Sequence, residues 1–137
     1  MHVEILCLCD YAKGEQNGKL NILGVFNQMQ APKEPVGYPL FSIAARLRFE
    51  RNEAGPKTIT LSFVDWDGKK VIPDLNAQLQ VQMGPEDPTA TLNFAVIIPQ
   101  ISLPHFGEYS VDLAVNGRQE ASIPLYVRQQ KGSSASA

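Results

Sequence analysis

The 137-residue sequence has few of the residues that mark several protein classes. Two cysteines do not make the disulfide framework of a small secreted domain. No apolar run approaches the about 18 residues of a membrane-spanning helix. The N-terminal apolar run is short, contains Glu4 and has no basic segment before it, so it does not predict a signal peptide. We therefore expect a cytoplasmic protein that is not directed to a membrane.

An excess of positive charge is also missing. The chain has 12 basic and 14 acidic residues, which gives a net charge of -2. A protein that binds nucleic acid or anionic lipid usually presents a large positive field to the phosphate groups. The composition therefore predicts no nucleic-acid partner.

Residue patterns that support catalysis are sparse. The only histidines are His2 and His105, and His105 lies in a Pro-His-Phe-Gly run typical of a turn. The sequence contains no G-x-S-x-G motif, no glycine-rich phosphate loop and no paired-carboxylate motif. We expect a protein that is not an enzyme and has no cofactor, although carboxylates distant in sequence could still meet in the fold.

The dominant hydrophobic period is two. In LNAQLQVQM, residues 75–83, apolar side chains alternate strictly with amides, the pattern of a half-buried strand. Segments of this kind, separated by Gly, Pro, Asn and Asp clusters, predict an all-β antiparallel sandwich of about eight strands. The predicted strands are 2–9, 19–27, 40–50, 57–65, 75–83, 90–98, 108–115 and 120–127.

We expect residues 1–130 to form a single domain and the small, polar segment 131–137 to be a disordered tail. The predicted core consists of the apolar residues in phase with the alternation. These are Leu20, Ile22, Phe26, Phe41, Ile43, Leu47, Phe49, Ile59, Leu61, Phe63, Leu79, Val81, Leu92, Phe94, Val111 and Leu113.

The DWDG segment contains the best candidates for a metal site, Asp65 and Asp67. Asp-Gly between two apolar runs predicts a two-residue type I′ turn, which sets Asp65 opposite Lys70 and gives Asp67 a positive φ. The alternative is a calcium loop like that of C2 domains. Because calcium takes 6–8 oxygen ligands, a second acidic loop would have to converge on these two residues. The turn is the preferred interpretation.

A second hairpin surrounds Asn116-Gly117. A two-residue turn alone would place the apolar residues of its two strands on opposite faces of the sheet. A three-residue loop with Gly117 in the left-handed region instead pairs Val111 with Ala121, and the apolar sets then share one core. The sequence therefore predicts a three-residue loop.

Cys7 and Cys9 lie in phase with Val3 and Ile5 on the first strand. Buried, reduced thiols are the expected state, since free cysteine is among the most buried residue types. A disulfide between them is not expected, because side chains two apart on a strand project in parallel.

The outward residues of the 75–83 strand are all amides, namely Asn76, Gln78, Gln80 and Gln82. Exposed faces and edges usually carry lysine or glutamate, which oppose pairing with other chains. Neutral amides donate and accept hydrogen bonds without the desolvation cost of a charge. This amide ladder therefore predicts an interface with a protein partner, most simply a second copy in a homo-oligomer.

Three segments carry a resemblance to a known family: CDYA at 9–12, GKLNILGVFNQM at 18–29 and the later DWDG. Over roughly Val3 to Val127 the chain resembles a family of small uncharacterised bacterial proteins. The resemblance implies a bacterial cytoplasmic protein with an immunoglobulin-like sandwich, and it implies no activity, ligand or catalytic residue. The closing pattern from Gly107 to Leu113, followed by NG and IPLYV, is also similar to the last hairpin of immunoglobulin-like domains.

The sequence thus predicts a non-enzymatic interaction or structural module that self-associates. The alternative is a ligand- or calcium-binding sandwich that uses the Asp65 and Asp67 turn.

Overall fold

This computed structural model describes residues 1–131 of the chain. They contain eleven β-strands and one short 3-10 helix, joined by loops. The strands are β1 His2–Gly14, β2 Leu20–Phe26, β3 Gln28–Ala31, β4 Val36–Tyr38, β5 Phe41–Glu50, β6 Gly55–Asp65, β7 Leu75–Val81, β8 Thr89–Ile98, β9 Ile101–Leu103, β10 Gly107–Val115 and β11 Arg118–Gln129. All eight predicted strands are present. The three that the sequence did not predict, β3, β4 and β9, have only three or four residues, too few to display an alternation. The predicted disordered tail lies outside the described residues, apart from Lys131.

Two sheets form the sandwich. One has the order β2-β1-β5-β8, the other β3-β11-β10-β6-β7, and β4 pairs with β9 in a small third sheet. The larger sheet, with its β10–β11 hairpin beside β6 and β7, has the G-F-C-C′ order of immunoglobulin-like domains. β1, β5 and β8 take the places of strands A, B and E. The prediction of an immunoglobulin-like β-sandwich is confirmed.

A tyrosine near the start of β10 is a second feature typical of this fold. Tyr109 is 1% exposed. Its hydroxyl donates to the His105 carbonyl oxygen at 2.7 Å and accepts from the His105 backbone N–H at 3.1 Å. A tyrosine that bonds back to the backbone just before strand F is the tyrosine corner of immunoglobulin-like domains. Burial raises the pKa of this phenol.

The core lies between the two sheets. Every second residue along the long strands directs an apolar side chain into it. Its largest fully buried side chains are Tyr109, Phe41, Phe49 and Phe63. Most of the predicted core residues are buried in it or packed against it. The core prediction is wrong for two residues: Ile22 packs against a small second cluster, formed by Cys9, Ala12 and Ala44, and Leu20 packs against neither cluster.

The second cluster exists because the end of the β1–β2 hairpin bends back over the outer face of the four-stranded sheet. We call residues 10–24 the arm. Gly24, at φ +73°, forms the bend, and its Cα lies against the Asp10 carboxylate. The Gly18 carbonyl oxygen at the tip of the arm accepts from Arg46 at 3.3 Å and from Asn93 Nδ2 at 2.9 Å. The arm thereby covers a face that would otherwise be solvated.

The Asn116-Gly117 hairpin differs from its prediction. Val115 pairs with Arg118, so the loop has two residues, and both have positive φ as a type I′ turn requires. The register shifts between Leu113 and Ala114, where Glu120 is left as an extra residue. The predicted three-residue loop is therefore wrong, and so is the predicted pairing of Val111 with Ala121, because Val111 pairs with Ile123. The extra residue needed to bring both apolar sets to one core lies in the strand as a bulge.

Candidate interaction site

The predicted amide ladder lies on β7, the last strand of the five-stranded sheet. Asn76, Gln78 and Gln80 are exposed on its outer face, and Gln82 is exposed just after the strand ends. Val81, in the other phase, is buried in the core. The alternation read from the sequence is therefore present, and contact of the ladder with a partner stays a prediction.

The free edge of β7 has none of the usual protections against pairing. From Leu75 to Val81 it carries no charged residue and no proline. Its register with β6 is regular from Gly55 opposite Val81 to Leu61 opposite Leu75. Natural edge strands are normally protected by charge, proline or a bulge. This edge remains competent to meet another chain.

Hydroxyl groups extend the ladder across the outer face of the same sheet. Thr58 and Thr60 on β6 are the register partners of Gln78 and Asn76. The Thr60 hydroxyl donates to Asn76 Oδ1 at 2.8 Å, which orients that amide. The rows nearest the β7 edge are therefore polar and uncharged.

Two of the carboxylates on this face already have partners, whereas Glu108, at the start of β10, is exposed. Asp112 Oδ1 accepts from Ser122 at 2.6 Å and from Ser110 at 3.2 Å. Asp74, just before β7, accepts from Lys70 Nζ at 2.8 Å and from the Ser62 hydroxyl at 2.9 Å. The Lys70 ammonium, followed by the Ser62 hydroxyl, lowers the pKa of Asp74. Neither of these two carboxylates, which are the ones nearest the ladder, therefore lacks a donor.

Asp65 and Asp67 lie in a turn that differs from the predicted one. The Asp65 N–H donates to the Lys69 carbonyl oxygen, and Val64 bridges to Lys70. The loop therefore has three residues, and Gly68 rather than Asp67 takes the positive φ. The predicted pairing of Asp65 with Lys70 is wrong by one residue.

The Asp65 carboxylate stabilises this turn. Its Oδ1 accepts the backbone N–H groups of Asp67 and Lys69, each at 2.9 Å. Within residues 1–131, no group of three or more His, Cys, Asp or Glu side chains is placed to hold a metal ion. The geometry of Asp65 is that of an aspartate that bonds to its own turn.

The two thiols lie under the arm rather than in the main core. Cys9 is 0% exposed, and its Sγ donates to the Ser42 carbonyl oxygen at 3.6 Å. The predicted common phase of Val3 with the thiols is wrong, because the register shift at Glu4 turns Val3 toward the main core. Burial raises the pKa of Cys9 from its ordinary 9.0 to about 11. Burial also raises the pKa of Cys7.

The bulge residue Glu4 pairs with the two arginines of β5. Its carboxylate oxygens lie 2.9 Å from Arg46 Nε and 2.6 Å from Arg48 Nε. The hydrogen bond from Arg48 is the main cause that lowers the pKa of Glu4. These cations are therefore paired with an acid rather than left free to hold an anion.

The residue types that could support catalysis are dispersed among residues 1–131. His2 pairs with Arg48 in the β1–β5 ladder, whereas His105 lies at the corner before β10 with its Nδ1 3.6 Å from a Glu34 oxygen. Neither histidine contacts a thiol through a hydrogen bond that the structure describes. Of the described residues, none belongs to a helix long and apolar enough to cross a membrane.

Comparison with known proteins adds a family and a similar structure. The sequence profile of a family of unknown function, DUF6941, matches residues 4–128. A search of curated proteins found no match. A crystal structure of an immunoglobulin-like protein from Pseudomonas aeruginosa is similar at 16% identity, covers 88% of this chain and 91% of that chain, and has a TM-score of 0.34.

Proposed function

We propose that this chain, which belongs to the DUF6941 family of unknown function, is a non-enzymatic interaction module that self-associates through the outer face of its five-stranded sheet. The observation that carries the proposal is the amide ladder. Asn76, Gln78 and Gln80 stand exposed in a row at the edge of that face, on a strand without charge.

The chemistry of the ladder favours a second copy as the partner. An amide carries both donors and acceptors, so one ladder complements another in either direction. A two-fold axis brings the same patch of each copy together, and such isologous contacts are the commonest in homo-oligomers. Burying neutral amides and hydroxyls against their like avoids the larger desolvation cost of charged groups. The face is therefore complementary to itself.

A non-enzymatic role in a bacterial cytoplasm forms part of the proposal. The histidines and thiols of the described chain occupy separate places, which supports a role without catalysis. Cys7 and Cys9 are both free, which suits a reducing compartment. We do not extend the proposal to calcium, because the Asp65 carboxylate is engaged with two backbone donors of its own turn.

Multi-angle light scattering on the purified chain tests self-association. We expect the wild type to be a dimer at micromolar concentration and Gln78→Lys/Gln80→Glu to be monomeric, because these changes place hydrated charges in the contact. A monomeric wild type would refute the proposal. A dimer unchanged by the double substitution would place the interface elsewhere and refute the role of the ladder.

A matched control separates charge at the ladder from charge in general. Gln16 and Gln100 are exposed and lie outside the five-stranded sheet. Gln16→Lys/Gln100→Glu introduces the same two charges, and we expect it to leave the dimer intact. Equal loss of the dimer in both double variants would contradict a specific interface at β7.

A further inference from the structure

β8 has a free edge where an immunoglobulin-type sheet normally continues. In those domains the sheet has the order A-B-E-D, so a strand lies beyond E. Here β8 takes the place of E and is the last strand of its sheet. Residues 82–88 lead from β7 directly into β8 and contain no strand. Among the residues that the structure describes, none occupies the position of strand D.

The free edge of β8 is straight and uncharged. Its ten residues, Thr89 to Ile98, include no charged residue and no proline. The register with β5 runs unbroken from Phe41 opposite Ile98 to Glu50 opposite Thr89. Half of the backbone N–H and C=O groups of an edge strand point away from its neighbour, and these groups pair readily with an added strand. The edge is a regular template for one more strand.

An apolar groove lies beside this edge, between β7 and β8. It has a volume of about 270 Å³. Its apolar lining comes from Ile59, Leu61, Leu75, Ala77, Phe94 and Val96. Ile59 and Leu61 form a buried floor, whereas Phe94 and Val96 on the β8 wall are half-buried. The groove is several times larger than the about 30 Å³ that one water occupies, so it has room for apolar side chains of an added strand.

Two possible occupants within this protein do not suit the groove. In a folded second copy, edge strand β7 directs Leu79 and Val81 into its own core. Edge strand β2 does expose Leu23 and Val25, but the bend at Gly24 between them prevents it from lying as a regular strand along β8. The C-terminal residues 132–137 of the chain, GSSASA, have no large apolar side chain to place in it. The groove requires an extended segment whose side chains are free on both faces.

The residues at the rim of the groove determine which kind of segment can bind there. The one acid there, Asp74, already accepts from Lys70 and Ser62. On β8 the outward residues are Thr89, Thr91, Asn93, Ala95 and Ile97, and none of them is charged. A charged segment would lose hydration without gaining an ion partner. The complement is a strand in which apolar residues alternate with uncharged polar ones.

We propose that the free edge of β8 and the adjoining groove bind an extended segment of another protein, in which apolar and uncharged polar residues alternate, and that this segment takes the vacant place of strand D. The backbone of the segment pairs with β8, and its alternate side chains fill the groove. This surface is distinct from the outer face proposed for self-association.

The probe is a synthetic fluorescent nonapeptide, TVTVNVTVT, with a scrambled peptide of the same composition in which the valines are contiguous. Binding is followed by fluorescence anisotropy, and amide chemical shifts locate the site. The protein is the Gln78→Lys/Gln80→Glu variant, so the result does not depend on whether the chain self-associates. We expect the alternating peptide to bind at least tenfold more tightly than the scrambled one and to shift the amides of β8.

Ala77 supplies the variant at the groove, because neighbouring residues of β7 face opposite sides of the sheet and Gln78 faces away from the groove. Ala77 is exposed at the groove, so Ala77→Lys, added to the Gln78→Lys/Gln80→Glu protein, places an ammonium at its mouth, and we expect at least a tenfold loss of peptide binding with an unchanged melting temperature. Gln16→Lys in the same protein adds the same charge at an exposed residue outside β7 and β8, and it should leave peptide binding unchanged.

Three outcomes would overturn the proposal. The first is equal binding of the two peptides, and the second is undiminished binding by a folded Ala77→Lys variant. The third is a bound fraction of peptide that falls as the protein concentration rises, which would make a second copy the occupant.

Discussion

The edge strands on the two sides of the sandwich are alike in composition, but the two sides differ in geometry. None of the four edge strands, β2 and β3 on one side and β7 and β8 on the other, carries a charged residue. On the first side, one extended segment pairs with β1 as β2 and then with β11 as β3, and it passes from one sheet to the other at Asn27. The Asn27 carbonyl oxygen accepts from the Tyr126 N–H at 2.9 Å. This continuous segment closes that side.

On the other side no segment of residues 1–131 spans the two edges. β7 and β8 are joined only by the connection 82–88, and the groove of about 270 Å³ remains between them. The closed side keeps a smaller depression of about 210 Å³ beside Asn27, but there the chain itself crosses between the sheets.

The difference teaches that this protein protects its edges by chain path and bending rather than by charge. The bend at Gly24 turns the arm away from the plane of its sheet, and bends of this kind prevent an edge from pairing with another chain. β7 and β8 have no bend in their registers. The surfaces suited to partners are therefore on the side that the chain leaves open.

A substitution at Gly24, which forms the bend on the closed side, should have the largest effect on stability. Gly24→Ala adds a Cβ that meets the Asp10 carboxylate, at a φ of +73° that L residues rarely adopt. Backbone strain alone costs roughly 1–2 kcal/mol, and displacement of Asp10 adds to it. We expect the free energy of unfolding in urea to fall by about 2–3 kcal/mol.

Gly18→Ala is the matched control, because Gly18 has φ +85° and open space around its Cβ position. It should lose only the strain, about 1 kcal/mol. Equal losses in the two variants would show that the contact with Asp10 does not hold the bend.

Filling the groove of the open side should stabilise the protein by a smaller amount. Ala77 pairs with Ile59 and lines the groove across from Phe94. Ala77→Leu adds three carbons, each worth about 0.8 kcal/mol when fully buried. With partial burial we expect a gain of about 1 kcal/mol in urea unfolding, together with weaker binding of the alternating peptide. A loss of stability would mean that the two walls cannot accommodate the added volume.

Raising the pH should give the smallest difference, confined to the closed side where the arm covers the thiols. The pKa of Cys9 is raised by burial from 9.0 to about 11, so above pH 9 the unfolded chain releases a proton that the folded chain retains. Stability from this thiol is complete below pH 9 and is lost as the pH rises toward 11.

One proton changes stability by at most about 1.4 kcal/mol per pH unit, so we expect a loss of less than about 1 kcal/mol at pH 9.5. Thermal melts of wild type and Cys9→Ala between pH 8 and 10 measure this loss, and Cys9→Ala should keep only the smaller loss caused by the raised pKa of Cys7. Cys7→Ala is the second variant and should keep most of the loss, because burial is the first cause of the raised pKa of Cys9 and the interaction with Cys7 comes after it. Parallel pH profiles of the wild type and Cys9→Ala would contradict the assignment.

Much of the fold follows from the sequence, because a half-buried strand must alternate. That rule alone located the eight long strands and the two faces of β7, including the exposed positions of Gln78 and Gln80. Other details depend on more distant contacts. The fit of Asp65 to its own turn and the burial of Cys9 under the arm follow from how separate strands pack.

The two hairpins show where local reasoning ends. The sequence required one extra residue beside Asn116-Gly117 so that both apolar faces meet one core, and that requirement was right. An extra residue in the loop and an extra residue in the strand would meet this requirement equally well. In the folded sheet the extra residue is Glu120, in the strand. At Asp67-Gly68 the extra residue lies in the loop instead, which has three residues rather than the predicted two.

The sequence by itself thus determined which residues alternate, which face they take and that the edge strands carry no charge. The tertiary structure decided the strand order, the bend at Gly24 and which side of the sandwich stays open. The physical reason is range: alternation acts between adjacent residues of one strand, whereas edges and grooves are made by strands that are far apart in the chain and meet only after the sheets have packed.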